Sequence, residues 1–200
     1  MTTDLDTKYA GCENSGMGLR VLVQGFGVFS STAAGYAASE GMGSLAPDGT
    51  LRVNDNDWFP VAKFVRMLEK IAAEVGEQVI YQVGERIPAN AVFPPQINSI
   101  ETALASLDVA MHMNHRKNGK PMFDPASGQF QEGIGHLAYQ KVEGKNEIHI
   151  RADSPYRCAM DHGLVVTMAR RFQPKSKVVH APEPRCKDKG GTQCLYVVTW

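Results

Sequence analysis

The chain has 200 residues, with 21 basic and 21 acidic side chains and a formal net charge of zero. That balance argues against wrapping a phosphate backbone, so no direct nucleic-acid partner is expected. Apolar residues at 43% and charged residues at 21% exclude wholesale disorder, and no apolar run approaches the roughly 18 residues of a membrane span.

Residues 1–18 are polar, Gly-containing and aperiodic, and read as a flexible tail before one domain over 19–200. They hold acidic residues and no apolar segment of secretory type, which makes the cytoplasm the default compartment. Leu19 to Gln24 could form a short strand. Gly25-Phe26-Gly27 has the start of a phosphate loop, but Ser30 stands at its sixth position and no Lys-Ser/Thr follows. A packed connector from Gly25 to Gly49 is the expectation.

Asp57 can cap a helix that has Pro60 in its first turn. Val61, Phe64, Val65, Leu68, Ile71, Ala72 and Val75 then recur at helical spacing, and Gly76 ends the run. A second helix starts at Glu77 and stops at Gly84 or Pro88. A third opens at Pro94-Pro95 and carries the stripe Ile97, Ile100, Leu104, Leu107 and Met111. Such a stripe packs a core.

Residues 118–133 read as a loop. Ile134 to Tyr139 and Glu147 to Arg151 look like strands joined by a turn at Glu143 to Asn146. Asp153 or Ser154 caps a helix with Pro155 at its first position, running through Met160, Leu164, Val165, Met168, Ala169 and Phe172. Lys177 to Ala181 and Gln193 to Thr199 form a last strand pair. The pattern predicts an α+β fold, with helices packed on an antiparallel sheet in a single compact domain.

Three of the four cysteines fall in the last 43 residues. Cys158 sits in a first helical turn, where its thiolate is favoured. Cys186 and Cys194 flank seven residues that include two glycines, so both thiols can return to one point, and Glu183 precedes Cys186 by three. Three thiolates and a carboxylate suit a closed tetrahedral zinc site, and Arg157, Arg185, Lys187 and Lys189 would offset its charge. Three thiols without a metal fit the same spacing, since no C-x-x-C pair is present.

The run Ser154-Pro155-Tyr156-Arg157-Cys158-Ala159-Met160-Asp161-His162-Gly163, then Ala169-Arg170-Arg171-Phe172, Glu183-Pro184-Arg185-Cys186, Gly190-Gly191 and Cys194 resembles the 4-vinyl reductase (hydrocarbon-binding) domain family. The resemblance covers about residues 150–200 well and Phe59 to Gly84 loosely. It implies an α+β sandwich related to the heme–nitric oxide binding domain, with an internal pocket for a small hydrophobic molecule. Some members sense phenolic effectors for transcription activators, and some accompany chlorophyll biosynthesis. In the phenol sensors a zinc ion sits at positions matching Cys158, Glu183, Cys186 and Cys194. The DNA-binding and AAA+ modules of those activators are absent from this sequence.

His112 and His115 lie at the end of the third helix beside Met111 and Met113. They could hold a heme iron. The plainer reading has them and Arg116 facing solvent and complementing the helix dipole. His136, His149, His162 and His180 are scattered over strands and a helix. Asp161 and His162 are helix neighbours pointing roughly 100° apart, so they form no dyad. No nucleophile elbow, H-E-x-x-H or P-loop occurs, and no catalytic residue is assigned.

These observations lead to a cytosolic sensor or binding domain for a small aromatic or tetrapyrrole-like molecule, with a structural zinc and a homodimeric state. Its expected pocket is lined by Phe64, Leu68, Leu104, Leu107, Met111, Met160, Leu164 and Met168. The alternatives are a heme-binding gas-sensing or pigment-handling protein, and an enzyme acting on an aromatic ligand.

Overall fold

The computed structural model describes residues 4–200. The chain starts with α1 (Leu5–Lys8), β1 (Cys12–Ser15) and α2 (Gly16–Gly25), so the expected tail is structured from residue 4 onward. Its first three residues lie outside the described part. Tyr9 and Cys12 are buried, and a dozen residues are enough to add a strand to a sheet that later segments complete. The strand expected at Leu19 to Gln24 is the second half of α2. Leu19, Leu22 and Val23 share one buried helical face there, a period that a short apolar run does not reveal.

A 3₁₀ turn (Gly27–Phe29) leads to α3 (Ser30–Ser39), so Gly25 to Gly49 is mostly helix and not a connector. Then come β2 (Ser44–Leu45), β3 (Leu51–Arg52), β4 (Trp58–Pro60), α4 (Val61–Val75) and α5 (Glu77–Arg86). Pro60 is the N-cap of α4, which displaces the expected Asp57 cap by three residues. After a 3₁₀ turn (Ile87–Asn90), α6 (Ile100–Met113) begins at Ser99 and not at Pro94. Ser99 and Thr102 bond each other's backbone N–H in a reciprocal capping box.

β5 (His115–Lys117) follows α6, and the expected loop at 118–133 holds three short strands: β6 (Lys120–Pro121), β7 (Phe123–Asp124) and β8 (Gln129–Phe130). β9 (Leu137–Lys141) and β10 (Glu147–Ala152) follow, then α7 (Cys158–Phe172), β11 (Lys177–His180) and β12 (Cys194–Thr199). Arg157, not Asp153 or Ser154, is the N-cap of α7.

β2–β3 and β7–β8 pair as separate hairpins, and the other eight strands form two four-stranded antiparallel sheets, in the orders β4-β1-β5-β6 and β11-β12-β10-β9. In the second, Ile148, Ile150 and Ala152 face Val198, Tyr196 and Cys194, and all six are buried. This alternation gives the sheet one apolar face, which α6 and α7 cover. The α+β expectation holds. A separate apolar cluster joins α2, α3, α4 and α5 to Tyr156 and Met160 at the start of α7.

Helices α5 and α7 meet backbone to backbone. A Cβ at Gly84 would lie 2.0 Å from the Met160 carbonyl oxygen, and one at Gly163 would lie 2.1 Å from that of Tyr81. The paired glycines hold the start of α7 against the N-terminal helices, where the cavity described below is found.

Candidate functional site

A cavity of about 320 Å³ lies between the α2 end of the N-terminal cluster and the start of α7. Met17, Val21, Leu22, Ile87, Ala91 and Met160 make its walls apolar, and Asn14, Asn114 and Tyr156 supply polar groups. Ligand pockets run from about 300 to 1,000 Å³, so this one suits a small molecule. Of the pocket residues expected from sequence, only Met160 lines it. Phe64 and Leu68 are fully buried in the N-terminal core, and Leu104, Leu107 and Met168 in the sheet-side core, with Leu164 packed against it. Met111 bridges two clusters. The helical stripe therefore reports core packing, as its period implies, and the cavity sits at the helix ends.

A buried relay backs the cavity. Asn14 Nδ2 donates to the Tyr156 hydroxyl at 2.6 Å. That hydroxyl donates to His115 Nε2 at 2.5 Å, and His115 Nδ1 donates to the Met111 carbonyl at 2.7 Å. Asn14 Oδ1 has no partner among the described residues, although it is buried and an added Cβ at Gly18 would lie 2.4 Å from it. Burial pushes the Tyr156 phenol above its usual range and lowers His115 to about 4.

His115 is thus neutral in the fold, and its effect on stability has a definite sign. From pH 6.5 down to about 4 the unfolded imidazole takes a proton that the folded one refuses, so stability falls with pH across that window. The loss from this residue is about 3 kcal/mol, and it stops below the folded value. Urea midpoints measured against pH should show the slope flatten in His115→Gln. An unchanged slope would show that His115 is not the group responsible.

His112 and His115 are both buried, which overturns their expected exposure at the helix end. Only His115 touches the cavity, through Tyr156. His112 faces away from it, with its ring 4.7 Å from Phe130 and 4.9 Å from His136. Arg116 pairs with Glu13 at 2.6 Å.

The C-terminal thiols do converge. Cys158 and Cys186 sulfurs lie 3.4 Å apart, and those of Cys186 and Cys194 lie 3.7 Å apart. Tetrahedral bonds of about 2.3 Å to one zinc set sulfurs about 3.8 Å apart, so the spacing fits that ion. Cys194 is drawn down to about 5, chiefly by its contact with the Cys158 thiol, and the same contact pushes Cys158 up. Glu183 is exposed, and the group whose ligand atoms lie within 4.8 Å of one another is Cys158, His180 and Cys186. The E-x-x-C spacing points toward Glu183, whereas β11 pairs His180 with Tyr196 and so brings the imidazole to the sulfurs.

Polar contacts hold the same hairpin to α7. Asp188 accepts from the Cys158 N–H at 2.9 Å. Lys187 Nζ donates to Asp161 at 2.6 Å and to Ser154, and Ser154 also donates to Asp161. Asp161 serves this tether, and His162 stacks on Tyr196. No helix among the described residues is long and apolar enough to cross a membrane.

No protein-family model matches the chain, and no curated protein matches it. Several solved structures are similar. An H-NOX protein from S. oneidensis in the Fe(II)NO ligation state has 15% identity and a TM-score of 0.60, over 92% of this chain and 97% of that one. A structure described as probing heme distortion in the H-NOX family has 11% identity and a TM-score of 0.63, over 94% of each chain. A Cs H-NOX mutant has 13% identity and a TM-score of 0.62, over 92% of this chain and 95% of that one. At these identities the likeness is one of fold. It bears out the relation to the heme–nitric oxide binding fold, while the 4-vinyl reductase family finds no match.

Proposed function

We propose that this chain is a sensor domain on the heme–nitric oxide binding fold that takes a small, largely apolar molecule into the cavity beside Tyr156. The observation that carries this reading is that Asn14, whose buried Oδ1 has no partner among the described residues, lines the cavity. A buried acceptor without a donor costs about 1–3 kcal/mol, which a ligand O–H or N–H would recover. The ligand class is therefore a small aromatic or aliphatic body with one hydrogen-bond donor. Calorimetric titration with small phenols, indole and aromatic amines tests it. Binding should weaken at least tenfold in Asn14→Leu and in Met160→Trp, which fills the cavity. Failure of the whole panel would remove the reading.

The fold likeness favours a second reading, heme. Of the two candidate histidines, His115 is the one that would hold it. It is neutral, its Nδ1–H is fixed on a carbonyl, and its Nε2 carries the lone pair that iron needs. Bound heme would supply an iron centre for a diatomic gas. The fit is incomplete, because the Tyr156 hydroxyl caps that lone pair and the cavity is at the small end of the range.

A zinc ion held by Cys158, His180 and Cys186, with the Cys194 thiol 3.7 Å from that of Cys186, belongs to the same proposal. There it acts as a staple between the hairpin and α7. Elemental analysis should find about one zinc per chain fewer in Cys186→Ser than in the wild type, and equal contents in the two would sink the site. Native mass spectrometry of the same sample should report the paired state expected of a one-domain sensor.

A further inference from the structure

A second cluster of metal-type ligands lies along α6, at residues that do not line the cavity. Asp108 and His112 are four residues apart on α6 and so share a face. His136, just before β9, joins them from another part of the chain. Its Nδ1 is 2.9 Å from Asp108 Oδ2, and His112 Nδ1 is 3.3 Å from Asp108 Oδ1. One ligand atom from each of the three lies within 4.8 Å of the other two.

Three further features point to a ligand. His112 is fully buried, and its Nε2 has no partner among the described residues. The Leu137 N–H donates to Asp108 Oδ1 at 3.0 Å and fixes the carboxylate, while Glu132 lies 3.2 Å from His136 Nε2 and steadies that ring from outside. Phe130 packs edge-on against both imidazoles at 4.7 and 5.8 Å, with His112 fully buried and His136 partly exposed.

We propose that Asp108, His112 and His136 bind a divalent first-row transition-metal ion. Two imidazoles and a carboxylate suit zinc, cobalt, nickel or copper, and they differ in kind from the thiol cluster. Glu132 is the outer partner that orients a ligating histidine. The ion adds a polar tie between the last turns of α6 and the start of β9, beside the apolar core that Leu104 and Leu107 share with Leu137. It does so whatever the cavity holds.

Cobalt(II) titration of the chelator-treated full-length protein, preloaded with one equivalent of zinc to occupy the thiols, tests the site. The expected result is one cobalt ion per chain with visible d–d bands and no near-ultraviolet thiolate charge-transfer band. His136→Ala should weaken that uptake at least tenfold while leaving thiolate-type binding intact. Equal cobalt uptake by His136→Ala, or no thiolate-free uptake by the wild type, overturns the proposal. Should His136→Ala fail to fold, proton NMR of the cobalt-loaded wild type decides. Hyperfine-shifted imidazole signals from two histidines are expected, and their absence overturns it.

Discussion

Tyr156→Phe should lower the unfolding free energy by about 2–6 kcal/mol. The change removes a single oxygen and leaves the ring in place. That oxygen is the sole acceptor for Asn14 Nδ2 and the donor to His115 Nε2, so both are stranded in a buried site. Each unsatisfied group costs about 1–3 kcal/mol. For a chain of this length that corresponds to a fall of about 5–20 °C in Tm. Urea unfolding of the two proteins measures it. A loss under about 0.5 kcal/mol, the scale of a surface substitution, would mean that the relay contributes nothing to the fold.

Gly163→Ala has a second large expected effect, about 3 kcal/mol or more. Its new methyl group would lie 2.1 Å from the Tyr81 carbonyl oxygen and 2.9 Å from the Glu85 nitrogen, so α5 and α7 must separate. Overpacking costs typically 1–3 kcal/mol, and here the obstacle is backbone, which cannot swing aside. Gly84→Ala should do the same, with its Cβ 2.0 Å from the Met160 carbonyl oxygen. Because Met160 lines the cavity, both variants should also lose ligand affinity. By contrast Gly76→Ala adds a methyl into open space and is strained only by its φ of 88°, so its cost should be smaller. Equal effects at Gly163 and Gly76 would show that the close helix approach is not what matters.

Part of this was readable from residue spacing. The stripes on α4, α6 and α7 are long and periodic, and they gave helices and core correctly. The strand pair β11–β12 and the convergence of Cys158, Cys186 and Cys194 also followed from spacing. The misread segments are short or small-residue ones. Cys12–Ser15 is a strand only because β4 and β5 flank it, and α2 is too Gly-rich to show its period. The functional side chains were harder still. Tyr156, Asn14 and His115 come from three distant segments, and nothing local marks their meeting. Asp108 and His112 do carry a signal, the four-residue spacing on one helix face. His136 joins them only through the fold. His180 comes near Cys158 and Cys186 for a similar reason, since strand pairing overrides nearness in sequence.

In the proposed reading the cavity beside Tyr156 takes a small hydrogen-bonding ligand, and the Tyr156 hydroxyl occupies the His115 lone pair that iron would need. Hemin titration of the freshly purified wild-type chain, followed by visible absorption, tests it most directly. The account predicts no histidine-ligated Soret band at one equivalent. A stoichiometric Soret band that disappears in His115→Ala would contradict it and establish the heme reading.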